Sequence, residues 1–431
     1  MLARTMLGCL AAVLMVAGTV SASRADLHSF LAEPDPAFHW TKLGEQHVEG
    51  GTVYDLHMVS QVWHGITWEH HLQIFKPDNV EHSHFCTLLN TGGNGGPSDA
   101  AVGMMAARAS HGLFAILFNI PNQPLFGGKS EDALVVYTWL KYMETGDDSW
   151  PLHFPMCKAV IKSMDAIQQF MKSEKQPAVT QFLITGASKR GWTTWLAGAS
   201  QDKRIKAIAP MVIDTLNVAA QGPHQLAAYG AFSTEIDDYT RAGIFPKLKT
   251  PMGRKLLGLE DPYSYRKILT LPKLLILGTN DHYWAQDALN LYWNGLEGPK
   301  WVMYDPNSGH GLEDRVRVYN ALTSFADCIA SRTPWPTMKW AYSAVANGAD
   351  LTVSSDTPMV SARMFHADAP TQDFRESHWS STPVDVNGSS FTGHMDNPAT
   401  GYRATFAEIT YTIRHKTFTL STQIRILKAG S

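Results

Sequence analysis

The run Phe182-Leu183-Ile184-Thr185-Gly186-Ala187-Ser188-Lys189-Arg190-Gly191-Trp192 reads as an apolar strand, a Gly-x-Ser turn and the start of a helix. A turn that tight holds its serine in a strained conformation with the hydroxyl exposed. Small neighbours are needed because strand and helix nearly touch there. The helix N-terminus favours the negative charge that develops when a hydroxyl attacks a carbonyl. One position departs from the pattern. The second glycine is expected two residues after the serine, where Arg190 stands, and it comes third, at Gly191.

A serine alone is a poor nucleophile and needs a base oriented by an acid. Leu274-Leu275-Ile276-Leu277-Gly278-Thr279-Asn280-Asp281 is a buried strand ending in an acid. Trp301-Val302-Met303-Tyr304 is the next strand, and Asp305-Pro306-Asn307-Ser308-Gly309-His310 follows it. Ser188 would attack, His310 would carry the proton and Asp281 would hold the imidazolium. Serine, acid, histidine is the chain order of α/β-hydrolases, and each residue falls just past the carboxyl end of a strand. Asp214, directly after the strand Ile205–Ile213, is the competing acid. The oxyanion would take the backbone N–H of Lys189, plus a donor from the loop Thr91–Gly96, where Gly92 and Gly93 allow close approach.

Other chemistries fit less well. The glycine loop is not followed by Gly-Lys-Ser or Gly-Lys-Thr, which disfavours a nucleotide phosphate loop. Eighteen histidines invite a metal reading. His82 and His84 would face one side of a strand, but no nearby acid or cysteine completes a ligand set. No metal and no cofactor are expected. Lys and Arg total 36 against 39 Asp and Glu, for a net charge of -3, and counterion release needs clustered basic charge. A nucleic-acid partner is excluded; a small-molecule ester or peptide is expected.

The elements that must position these residues alternate. Thr52–Trp63 and Ile66–Phe75 read as a hairpin. His84–Leu89, Leu113–Phe118, Thr180–Ile184, Ile205–Ile213, Leu274–Leu277 and Trp301–Tyr304 read as strands. Ala100–Ala109, Ala159–Met171, Trp192–Ala199 and Val316–Ile329 read as helices. This rhythm predicts an α/β fold, a doubly wound, mostly parallel sheet covered on both faces. Residues 215–271 interrupt it and are expected to form a lid or substrate-facing excursion. Composition changes at Thr333-Pro334-Trp335-Pro336. Beyond it only strands are legible, which predicts a β-sandwich over 334–431 after a hydrolase-type domain over 26–333.

Residues 1–25 hold Arg4, then an apolar run from Leu7 to Ala17, then small residues. That is the pattern of a secretory signal peptide, so a secreted or periplasmic protein is expected, with no membrane span after cleavage. Cys86, Cys157 and Cys328 remain in the mature chain. Three cysteines cannot all pair, and the spacing does not choose a pair.

With these segments read, the chain is similar to the PhoPQ-activated pathogenicity-related protein family, itself similar to secreted autocrine proliferation repressors. The resemblance rests on the turn Thr185–Trp192 and on Ser60-Gln61-Val62-Trp63-His64-Gly65-Ile66-Thr67-Trp68. It also takes in the glycine loop, Trp150-Pro151-Leu152 and Asp373-Phe374-Arg375. It implies an exported α/β-hydrolase-like protein with a C-terminal β domain, linked to virulence or antimicrobial-peptide resistance. The Ser-Lys-x-Gly turn also resembles that of glucuronoyl esterases, which adds a carbohydrate ester to the expected substrates. The rival expectation, from another class, is an idle hydrolase fold serving as a secreted signalling or binding protein.

Overall fold

A computed structural model describes residues 26–430; the signal segment expected over 1–25 lies outside the described residues. Strands β1 (His39–Val48), β2 (Gly51–Trp63) and β3 (Ile66–Pro77) form an antiparallel meander. The parallel part comprises β4 (His82–Asn90), β5 (Gly112–Leu117), β6 (Gln181–Ala187), β7 (Ile205–Met211), β8 (Lys273–Gly278) and β9 (Lys300–Asp305). The spatial order is β1-β2-β3-β5-β4-β6-β7-β8-β9. β5 and β8 are buried at every residue, as interior strands covered on both faces must be. The inversion of β4 and β5 in an otherwise consecutive order, with parallel pairing from β5 onward, is the α/β-hydrolase fold.

The helices are α1 (Leu27–Ala32), α2 (Pro97–Ala109), α3 (Glu131–Thr145), α4 (His153–Ser173) and α5 (Lys189–Ala199), followed by α6 (Val218–Tyr229), α7 (Asp237–Arg241), α8 (Ile244–Leu248), α9 (Pro251–Glu260) and α10 (Arg315–Ser331). α2 and α10 touch each other and cover one side of the sheet, while α4 and α5 pack together on the other. The excursion after β7 is helical: α6 to α9 fill it. β1 and α3 are among the elements absent from the sequence pattern. β1 is mostly exposed and so lacks a clean apolar alternation. α3 contains Val135, Val136 and Thr138, whose β-branching masks a helical period.

The C-terminal strands are β10 (Met338–Val345), β11 (Gly348–Ser355), β12 (Ser361–Ala369), β13 (Ser380–Val384), β14 (Ser390–Asp396), β15 (Tyr402–Ile413), β16 (Lys416–Ser421) and β17 (Arg425–Lys428). They form a sandwich that shares a layer with the hydrolase part. β16 pairs antiparallel with β9 through Ser421 and Val302, so β16, β15, β12 and β13 prolong the central sheet. β10, β11 and β14 make the opposing sheet. Leu351, Val353 and Phe391 from one layer pack with Met364, Ile409 and Phe418 from the other. The composition change at 333–336 therefore marks a new layer and not a break in the sheet. Capping β9 in this way removes an exposed edge from the parallel sheet. Cys86, Cys157 and Cys328 are all buried and free.

α5 crosses β6 and β7 at very close range. A Cβ on Gly186 would lie 2.7 Å from the carbonyl oxygen of Arg190, and one on Gly191 would lie 2.8 Å from that of Met211. This explains the displaced glycine: position 191, not 190, faces β7. Gly191→Ala is expected to destabilise the chain by about 1–3 kcal/mol despite alanine's better helix propensity, because the obstacle is backbone. Chemical denaturation of the two proteins checks it.

Candidate active site

Strand register builds the site before any side chain is considered. Ala187 lies opposite Met211, Met211 opposite Ile276, and Gly278 opposite Asp305. The turns after β6, β7, β8 and β9 thus leave one rim of the sheet. Ser188 caps α5 with φ 58° and ψ -128°, a conformation costly for a residue with a side chain. It is held by its own backbone: the N–H donates to Met211 O at 3.0 Å, and its carbonyl accepts from Trp192 N at 2.9 Å. The sharp turn leaves Ser188 half-buried and lining a cavity.

The two residues after Ser188 are tied down. Arg190 donates through both terminal nitrogens to Glu131, at 2.8 and 2.7 Å, and through Nε to Ile120 O at 2.5 Å. Lys189 is buried, and its Nζ sits 2.7 Å from Glu131 Oε2 and 3.5 Å from Asp132 Oδ1. Burial alone would raise the Glu131 carboxyl, but the two cations outweigh it and hold it down at about 2. The Lys189 ammonium is therefore committed to acids at the cavity wall. Gly92 meets the Arg190 guanidinium, which a Cβ there would approach to 2.6 Å. Gly93 takes φ +70° and its carbonyl accepts from Asn119 N at 2.8 Å. Neither glycine is among the residues lining the cavity.

Asp281 and His310 meet. His310 Nδ1 donates to Asp281 Oδ2 at 2.8 Å, and the other carboxylate oxygen accepts from Tyr283 N at 3.0 Å. His310 Nε2 is buried and has no hydrogen-bond partner, so Ser188 and His310 are not hydrogen-bonded here. The ring packs against Tyr283 and Trp284, with centroids 4.3 and 5.9 Å away. Gly278 makes the meeting possible, because the Ser308–Gly309 backbone passes directly over it; a Cβ would lie 2.5 Å from Ser308 O. The 305–310 loop is stitched to the acid loop by Asn280 N to Ser308 O at 2.9 Å and Asn307 N to Thr279 Oγ1 at 2.8 Å. Asp214 is elsewhere engaged: it accepts from Tyr292 OH at 2.6 Å. Burial, with Asp281 and Asp287 adding negative charge nearby, pushes its carboxyl up to about 8.

The cavity beside Ser188 has about 800 Å³ of empty space, its open mouth included. α6, α7 and α8 supply Val218, Gly222, Tyr239, Ile244 and Phe245 to its wall, and the core side supplies Trp139, Trp192 and His153. The C-terminal region contributes at the rim instead. Asn280 Nδ2 donates to the carbonyls of Arg375 and Ser377 at 3.0 and 2.7 Å, and Asn307 exchanges hydrogen bonds with the backbone of Trp379 at 2.9 and 2.7 Å. The loop that begins Asp373-Phe374-Arg375 thus grips both the acid loop and the histidine loop.

The one group of side chains among the described residues spaced for a metal is Glu81, His82 and His111. It lies at the amino ends of β4 and β5, the edge opposite Ser188. Its members are engaged elsewhere: Asp327 faces His82 at 3.0 Å and His111 at 3.2 Å and also binds Arg414 and Lys416, and Glu81 pairs with Arg414. Two fixed cations beside the acid make a structural charge cluster of it.

The profile of PhoPQ-activated pathogenicity-related protein matches residues 27–375. The chain belongs to that family. A relative, autocrine proliferation repressor protein A of Dictyostelium discoideum, is 32% identical over 363 residues, spanning 80% of this chain and 71% of that protein. Among solved structures, acetyl xylan esterase 1 from Thermoanaerobacterium sp. JW/SL YS485 is 16% identical with a TM-score of 0.49, covering 72% of this chain and 92% of that one. An S-formylglutathione hydrolase from Agrobacterium tumefaciens is 12% identical with a TM-score of 0.44, over 68% of this chain and all of that one at 100%. In this PhoPQ-related chain, several site residues carry no sequence signal. Glu131, His153, Glu260 and Trp379 come from segments with no catalytic spacing; only Trp150-Pro151-Leu152 and Asp373-Phe374-Arg375 flag their neighbourhoods.

Asp214 generates a pH test. Its native proton is held to about pH 8, whereas an unfolded aspartate loses it near ~4. Between those values the native state binds the extra proton, so this residue makes stability fall as pH rises. Asp214→Asn keeps an acceptor for Tyr292 and should flatten the fall of Tm between pH 5 and 7.5. An unchanged slope in thermal melts would contradict the assignment.

Proposed function

We propose that this protein is an exported serine hydrolase that cleaves an ester or peptide amide by way of an acyl-enzyme. The observation that carries the reading is Ser188: a non-glycine residue at φ 58°, on a strand-to-helix turn, opening into an apolar cavity on the same rim as a histidine already oriented by aspartate. The Ser188 hydroxyl gives its proton to His310 Nε2 and its oxygen attacks the carbonyl carbon. Asp281 holds the imidazolium that forms. The tetrahedral oxyanion sits at the first turn of α5, where the Lys189 N–H points outward with the positive end of the helix dipole. His310 then protonates the leaving group, and water reverses the sequence to free the acid. The partner-free Nε2 is the atom this scheme requires, and catalytic hydrogen bonds commonly tighten only once substrate is bound.

The wall of aromatic and aliphatic side chains supports an apolar acyl group in the cavity. The signal-like start of the chain supports export, and the pathogenicity-related family description supports a link to virulence. A carbohydrate ester of the glucuronoyl type is supported by the Ser-Lys-x-Gly turn, though the apolar wall suits it less. A second reading is favoured by one observation, the missing Ser188–His310 hydrogen bond: an idle hydrolase fold that signals or binds.

Fluorophosphonate labelling separates the two. Wild type and Asp214→Asn should label, and Ser188→Ala should not. Turnover of p-nitrophenyl esters should drop ~10^4-fold or more in Ser188→Ala and His310→Ala. Equal labelling of wild type and Ser188→Ala would defeat the enzyme reading.

A further inference from the structure

The cavity beside Ser188 is mostly hydrocarbon and aromatic face, yet two buried polar atoms of its wall have no partner. They are His153 Nε2 and Trp139 Nε1. Both side chains flank the same indole: Trp192 stacks on the His153 ring at 4.8 Å and 18°, and meets Trp139 edge-on at 5.9 Å. Several other polar wall groups are engaged. Gln225 bonds Tyr283 O and Ser233 N, Gln221 bonds Leu216 O, and Tyr239 OH donates to Asp132.

His153 is held with unusual firmness for a wall residue. It and Glu260 are both fully buried. Nδ1 donates to Glu260 Oε2 at 2.5 Å, and the His153 backbone N–H reaches the other carboxylate oxygen at 3.4 Å. Trp192 Nε1 donates to the Glu260 carbonyl at 2.6 Å, which fixes the indole between them. With Nδ1 bound to Glu260, Nε2 is the ring atom left open, while Trp139 Nε1–H can only donate. Buried polar atoms in native proteins nearly always find partners, and two left open in one wall ask for a polar group.

We infer that His153 and Trp139 form a polar subsite in the acyl pocket, selecting acyl groups that carry a hydroxyl or carboxamide away from the scissile carbonyl. The inference rests on the hydrolase reading only in taking the acyl group as the cavity's occupant. Glu260 is a positioning residue: it sets the tautomer and plane of His153. A hydroxyl, which both donates and accepts, would pair with His153 Nε2 or with Trp139 Nε1–H. A purely hydrocarbon acyl group would leave both atoms unpaired, the situation in which a site discriminates most strongly between an alcohol and its deoxy analogue.

The test uses binding, so that it survives failure of the catalytic reading. Dissociation constants of 4-propylphenol and propylbenzene are measured on the full mature chain carrying Ser188→Ala, and again with His153→Phe added. The ratio of the two constants should favour the phenol by ~10-fold or more and shrink at least ~5-fold in the double variant. An unchanged ratio, equal weakening of both ligands, or no binding of either overturns the subsite. If His153→Phe shows no cooperative unfolding transition, Trp139→Phe replaces it, with the same shrinkage expected and the same outcomes fatal. Wild-type turnover of matched hydroxylated and deoxy p-nitrophenyl esters then reads the catalytic half alone. Absence of turnover with the binding ratio intact sinks the hydrolase and leaves the subsite.

Discussion

Backbone passing against backbone at the carboxyl rim of the sheet is the constraint on which the remaining geometry depends. Gly278 lets the Ser308–Gly309 segment cross the end of β8, and Gly191 lets α5 start against Met211 and Ile213. Each contact is closer than a side chain permits. Together they set the height at which Ser188, Asp281 and His310 leave the sheet. The strained φ of Ser188 follows from the same crowding: a relaxed turn would need space that the strand and helix do not leave.

Charges around the turn are arranged so that none is left without compensation. Glu131 collects Arg190 and Lys189, and Asp132 faces Lys189 and accepts from the Tyr239 hydroxyl. A buried lysine at this turn would be expensive without those acids. The Arg190 that displaces the usual glycine acts as a strut from the turn to the start of α3 and to Ile120 O. The C-terminal region does comparable work from the other side. By prolonging the sheet past β9 and gripping Asn280 and Asn307, it ties the acid and histidine loops to a rigid layer. A domain that looks separable along the chain is thus part of the support for the site.

Much of this was legible along the chain, for identifiable reasons. Interior parallel strands are buried on both faces, so β5, β6, β8 and β9 stand out as continuous apolar runs. The Gly-x-Ser turn is local chemistry spanning a few residues. The Asp281 and His310 positions follow from the rule that functional groups trail the carboxyl ends of such strands. β1 escaped because an exposed edge strand needs no apolar alternation, and α3 escaped because its β-branched residues obscure the period. The excursion over 215–271 could be bounded but not folded in advance. Its short helices are stabilised by packing on the core and on one another, not by strong propensity.

By itself, then, the amino-acid order determined the class of fold, the identity of the strained serine and the order in which an acid and a histidine follow it. These depend on periodicity and on turns of a few residues, which neighbours along the chain dictate. Tertiary structure alone decided that Asp281 and not Asp214 holds His310, and that β16, β15, β12 and β13 share the hydrolase sheet. It also decided that His153 meets Glu260 across 107 positions in the wall of the cavity. A hydrogen bond between residues so far apart depends on how layers stack, and no local pattern encodes that distance.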